Sequence, residues 1–142
     1  MPHVMRAIEL KAPPAAVWRW LASEEALRAW LSPSLTIDLQ VGGAYRFQGP
    51  DGETWISGVV LELFPEAALI LSWIEEGSDW VHPARLLITL TPIAGGTRVE
   101  LGHDGFAGIG NAGWRNTWEA YERGADRHKA LETLASLVTE DA

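Results

Sequence analysis

From Val4 to Leu10 the residues alternate loosely, Val4, Arg6, Ile8 and Leu10 against Met5, Ala7 and Glu9, which predicts a first strand. Pro13 and Pro14 then open a stretch, Ala15 to Leu21, whose apolar members Val17, Trp18 and Leu21 recur at helical spacing. Ser23 ahead of Glu24 and Glu25 has the form of a helix cap with acids at the positive end. Ala26, Leu27 and Trp30 continue as a second short helix up to Ser32 and Pro33.

From Leu35 to Phe106 the period changes to two. Ile37 and Leu39 alternate with Thr36, Asp38 and Gln40, Gly42 and Gly43 break the run, and Tyr45 and Phe47 then share a face. Pro50, Asp51 and Gly52 mark a turn. In the next strand Trp55, Ser57, Val59, Leu61 and Leu63 fall on one side, with Ile56, Gly58, Val60 and Glu62 opposite. After a turn at Pro65 and Glu66, Leu69, Leu71 and Trp73 share a face as far as the acidic loop Glu75 to Asp79. A long strand is expected from Ala84 to Ile93, and Gly95 and Gly96 turn it into Arg98 to His103, where Val99, Leu101 and His103 face one way. Short turns between successive strands require an antiparallel meander, because parallel strands need long crossovers.

Beyond the Gly-rich run Gly102 to Gly113, the segment Asn116 to Leu137 carries Trp118, Tyr121, Ala125, His128, Leu131 and Leu134 at steps of three and four, and Val138 continues the stripe. Its other face is charged, with Glu119, Glu122, Arg123, Asp126, Lys129 and Glu132. Such a helix must lay its stripe on something flat and apolar, and the concave face of the preceding sheet is the candidate. The expectation is an α+β fold in one domain, 1–142: a curved antiparallel sheet of about six to seven strands wrapped around a long C-terminal helix, with two short helices after the first strand.

Composition narrows the function classes. With 0 Cys the chain has no disulfide framework and no thiol nucleophile, which favours a reducing compartment. A formal charge of −8, from 19 acidic against 11 basic side chains, repels phosphate backbones and anionic membrane surfaces. No apolar run is long enough to span a bilayer, so a cytoplasmic protein without nucleic-acid or membrane partners is expected. The unusual number is 8 Trp, since indoles fill cores, line pockets or form interfaces.

The order strand, two short helices, strands and long helix resembles the helix-grip, or START-like, superfamily that includes polyketide cyclases and the birch-allergen fold. Local phrases narrow it further: the spacing of Ala15 to Trp30, Val41-Gly42-Gly43 followed by Tyr45-Arg46-Phe47, Asp51-Gly52 with Gly58, and Pro65 with Leu69 to Trp73. Leu86 to Pro92 with Gly96-Thr97-Arg98, and His103-Asp104-Gly105-Phe106, complete the set. Together they are similar to the family of the C-terminal domain of the activator of heat-shock-protein-ninety ATPase. In one departure Tyr121-Glu122-Arg123-Gly124 is followed by Ala125 where the family often has Trp, which implies a larger or differently shaped cavity.

Parity places Tyr45, Phe47, Trp55, Trp73, His103, Trp118, Tyr121 and His128 on the inner face, where they are expected to line a cavity for a small hydrophobic or aromatic ligand. The competing reading of Tyr45, Phe47, Trp55 and Trp73 is plain core packing, and of His103 and His128 a satisfied core histidine. As an enzyme of the cyclase or dehydratase type, the chain would use His103 or His128 as acid or base beside Tyr45 or Tyr121. As a family relative, it would dock on a chaperone and stimulate its ATPase. No catalytic constellation, cofactor fingerprint or metal-ligand spacing is present. Glu75, Glu76 and Asp79 read as a solvated charge run, and His3 and His82 stand alone. A homodimer is compatible with the sequence, which leaves the oligomeric state open.

Overall fold

The structure, a computed structural model, describes residues 3–127 and 129–141. His128 therefore lies outside the described residues. Strand β1 (Val4–Leu10) leads into two one-turn helices, α1 (Pro14–Trp18) and α2 (Glu24–Arg28). Proline at the start of α1 is tolerated because the first helical N–H has no partner to lose. At α2 the Ser23 hydroxyl accepts from the Ala26 amide at 3.1 Å, the cap expected from the sequence.

Six strands follow: β2 (Thr36–Ile37), β3 (Ala44–Gln48), β4 (Trp55–Phe64), β5 (Ala68–Glu75), β6 (Ala84–Ile93) and β7 (Gly96–Asp104). All pair antiparallel in one sheet of order β1-β7-β6-β5-β4-β3-β2, so the first strand closes onto the last and the meander runs unbroken between. A 3-10 turn at Phe106–Gly108 leads to α3 (Trp114–Arg127) and α4 (Ala130–Asp141), which together make the C-terminal helical segment.

The inner face of the sheet is set by alternation. Leu69, Leu71 and Trp73 of β5 share it with Ala84, Leu86, Ile88 and Leu90 of β6 and Val99 of β7, and all are buried. Helix α4 contributes Leu131, Leu134 and Val138 to the same core, each worth about 1.5–3 kcal/mol when removed from water. Among the described side chains of α3 none is as deeply buried, and Trp114, Trp118, Tyr121 and Ala125 are half-buried. The two C-terminal helices thus differ: one is core, the other a cover.

Strand β4 departs from simple alternation. Its pairing with β5 shifts between Val60 and Glu62, leaving Leu61 as the extra residue of a bulge. Up to the bulge the inner residues are Ile56, Gly58 and Val60, and beyond it Leu63 sits opposite Leu69 on the inner side. The face assigned from the sequence to Trp55, Ser57 and Val59 is therefore the outer one.

Candidate functional site

A continuous cluster of rings covers the inner face beneath α3. Tyr45 and Phe47 of β3 stack with centroids 6.2 Å apart, Phe47 meets the edge of Trp73 at 5.3 Å, and Trp73 meets His103 at 4.5 Å. Tyr121, reaching down from α3, is the hub. Its ring lies 6.1 Å from Trp73, 5.2 Å from His103, 5.0 Å from Phe106 and 6.3 Å from Trp80. The contacts of Trp73 with Phe47, His103 and Tyr121, and of Tyr121 with His103, are edge-to-face, and those of Tyr121 with Phe106 and Trp80 are tilted. Aromatic pairs of this kind are worth about 0.5–1.5 kcal/mol beyond their buried area.

The sequence places the rings through three devices. Tyr45 and Phe47 are two residues apart on one strand, and Phe47 pairs with Ile56. Tyr45 lies across from Gly58, where an added Cβ would come 2.2 Å from the Ser72 carbonyl oxygen, so only glycine lets β5 approach so closely. There the β4–β5 ladder opens and side chains take over: the Tyr45 hydroxyl donates to the Ser72 carbonyl at 2.7 Å, and the Val59 amide donates to the Ser72 hydroxyl at 2.9 Å. The third device is a polar chain through α3, in which the Trp73 indole N–H donates to the Tyr121 hydroxyl at 2.8 Å and that hydroxyl donates to a Glu75 carboxylate oxygen at 2.6 Å.

Burial sets the electrostatics. It pushes the phenol of Tyr45 far above its ordinary range, and burial together with the neighbouring Glu75 carboxylate does the same for Tyr121, so both are neutral donors at physiological pH. His103 is held down to about 4, principally by burial, against the Arg85 backbone and the Asp104 charge, which favour the proton. Its Nδ1 atom is buried and makes no hydrogen bond within the protein. An unpaired buried polar atom costs on the order of 1–3 kcal/mol. Here it sits among aromatic rings.

Of the residues expected from the sequence, Tyr45, Phe47, Trp73, His103 and Tyr121 come together in this cluster. Trp118 stands apart from it at the sheet edge, its indole donating to the His3 carbonyl at 3.1 Å. Trp55 is corrected: it pairs with Gln48 on the outer face, and the Arg46 guanidinium lies over its ring, 3.9 Å from the centroid. Parity misled because the apolar residues Val59, Leu61 and Leu63 share alternate positions with Trp55, and the bulge that turns Leu63 inward is not visible as an alternation. His128 falls outside the described residues. The sequence reading missed Phe106 and Trp80 as members. Trp80 carried a usable signal, a large ring in an acidic, turn-rich loop, where a tryptophan has no reason to be unless it turns inward.

The rings touch one another through the region where the sequence reading expects a cavity. Two surface depressions lie elsewhere. One, of about 240 Å³, is on the outer face around Met5, Leu87, Thr89 and Gly102, extending to His103, and the other, of about 360 Å³, is between α1 and α2 around Trp20, Ser23 and Ala26. Among the described residues no three His, Cys, Asp or Glu gather to hold a metal ion, and no helix is long and apolar enough to cross a membrane.

An antiparallel sheet whose inner face receives a C-terminal helical segment, with two short helices after the first strand, is the helix-grip, START-like architecture. The chain belongs to the family of activator of Hsp90 ATPase homolog 1-like proteins, whose family model matches residues 11–125. Solved structures agree in fold. Protein MLL2253 from Mesorhizobium loti superposes with a TM-score of 0.79 at 20% identity, covering 99% of this chain and 98% of that one. CalU16 from Micromonospora echinospora gives 0.71 at 21% identity, covering 98% and 77%. The Aha1 dimer from Colwellia psychrerythraea gives 0.60 at 18% identity, covering 73% and 76%. No curated protein matches the sequence.

Proposed function

We propose that this protein binds a small hydrophobic or aromatic molecule against the ring cluster beneath α3. The observation that carries the reading is the unpaired, buried Nδ1 of His103 inside a shell of Trp73, Phe106 and Tyr121. An apolar floor with one unsatisfied polar atom is the composition of a ligand site, in which area supplies affinity and the polar atom fixes orientation. The half-buried cover formed by α3 supports the same reading, because a helix that is not locked into the core can yield space.

A screen of hydrophobic and aromatic compounds by tryptophan fluorescence and native mass spectrometry tests it. Retention of one class of compound, lost in Trp73→Ala, is expected. A folded protein that retains nothing and whose fluorescence ignores every compound overturns it. Binding takes precedence over general-base catalysis, since a histidine with a pKa of about 4 is a weak base at neutral pH. Family membership favours a second reading, docking on a chaperone and stimulating its ATPase. An ATPase assay with the cognate Hsp90 tests that reading, and an unchanged rate at saturating protein rejects it.

A further inference from the structure

Six of the seven rings in the cluster are anchored by secondary structure. Tyr45 and Phe47 sit on β3, Trp73 on β5, His103 on β7, Phe106 on the 3-10 turn and Tyr121 on α3. Trp80 alone comes from an irregular loop, between the end of β5 at Glu75 and the start of β6 at Ala84. Around it the loop is polar or exposed: Glu76 pairs with Arg46 at 2.8 Å, Ser78 and Asp79 face solvent, and Val81 is 65% exposed. The Trp80 side chain nonetheless turns inward to 8% exposure, edge-on to Phe106 at 6.4 Å and tilted against Tyr121 at 6.3 Å.

The loop is fastened lightly. The Val81 and His82 amides donate to the Ile109 carbonyl at 2.7 and 3.2 Å, and the Asn111 amide donates to Asp79 at 2.7 Å. Close approach of the two loops depends on Gly110, whose added Cβ would meet the Val81 Cβ at 2.7 Å. Releasing Trp80 breaks these contacts but no strand ladder and no helix. The other rings sit on β3, β5, β7, α3 and the 3-10 turn, so their backbone is held by regular structure.

Building on the ligand-binding reading above, we propose that Trp80 is a displaceable plug, and that the natural ligand is a planar, two-ring aromatic of indole size that takes the plug's place against Phe106 and Tyr121. A single ring would leave that slot partly empty, and a void forfeits the contacts of its lining. His103 packs against the same two rings, at 6.2 and 5.2 Å. A hydroxyl or N–H substituent reaching past them meets the unpaired Nδ1. The ligand class is therefore a bicyclic aromatic bearing a hydrogen-bond donor.

Indole is the probe, measured by calorimetry against the wild-type protein, Trp80→Ala and the milder Trp80→Phe, with fluorine NMR of fluorotryptophan-labelled wild type. Three results support the plug: indole binds more tightly than phenol, Trp80→Ala tightens it at least about tenfold, and the Trp80 resonance moves to a solvent-exposed shift as indole saturates. Should Trp80→Ala fail to fold, Trp80→Phe shows a smaller gain of the same sign. If indole binds while the Trp80 resonance stays put and both variants bind as wild type does, the plug is wrong and the ligand-binding reading stands. If none of the three proteins binds indole or phenol, while all are folded, the plug is overturned, and a blank from the wider compound screen then removes the reading beneath it.

Discussion

His103 couples the interior to pH. Unfolded, its imidazole takes up a proton near the ordinary value of 6.5, and folded only near 4. Between these values the unfolded state binds more protons, so the contribution is intact above about pH 6.5 and is lost as the pH falls toward 4. At about pH 5 the loss amounts to about 2 kcal/mol. Denaturant unfolding of wild type and His103→Phe at neutral and acid pH measures it, since the carboxylates that titrate in both cancel in the difference. Equal pH dependence in the two proteins refutes the assignment. A second residue-scale prediction concerns the opened ladder: Tyr45→Phe leaves the Ser72 carbonyl without its 2.7 Å donor and is expected to cost about 1–3 kcal/mol. Gly58→Ala forces β4 and β5 apart and is expected to cost at least as much, by the same unfolding measurement. The inward residues Tyr45, Phe47 and His103 were legible in the sequence because β3 and β7 alternate, and Trp73 because it shares parity with Leu69 and Leu71, although β5 is apolar on both faces at Leu69-Ile70-Leu71. The partners of Ser72 were not, because a side chain that replaces a ladder bond leaves no trace in periodicity.

At the scale of elements the C-terminal segment is two structures in one stripe. Helix α4 buries Leu131, Leu134 and Val138, whereas α3 holds to the sheet through the Tyr121 chain, the Trp118 bond to His3 and an Arg6–Glu122 pair at 3.2 Å. Exposed pairs of this kind are worth at most about 1 kcal/mol. Amide exchange in α3 is therefore expected to be faster than in α4, and Tyr121→Phe to accelerate it further while leaving α4 unchanged. Exchange that slows uniformly across both helices would show that α3 is as firmly seated as α4. Leu134→Ala, in contrast, removes core and is expected to destabilise the whole protein by about 2–5 kcal/mol. The sequence shows a single amphipathic stripe from Trp118 to Val138, because spacing records which face is apolar and not how deeply it is buried. In the same way the run around Ile37 and Leu39 reads as a strand, yet pairing extends only over Thr36–Ile37. The Asp38 amide turns to the Ala44 carbonyl and the Gln40 amide to the Asp38 carbonyl, closing a turn instead.

The architecture of the whole molecule was legible because it depends on order: a strand, two short helices, a meander and a helical end admit few arrangements once every connection is short. What order does not specify is how far the interior is filled, since that depends on side chains brought together from β3, β5, β7, α3 and a loop. Among the described residues the rings of the cluster pack against one another, so a ligand seated among them enters by displacing protein, and the energy of opening is subtracted from its affinity. The net gain is still measurable in stability. A ligand that binds only the folded chain, at about a hundred times its dissociation constant, adds about 2.7 kcal/mol. For 142 residues this raises the melting temperature by roughly 5–10 °C. Scanning calorimetry with saturating indole at neutral pH reads that rise, and Trp80→Ala, having no plug to release, is expected to show the larger one from a lower starting point. A melting temperature indifferent to indole in both proteins, with binding absent by calorimetry, means that the rings beneath α3 are only a core.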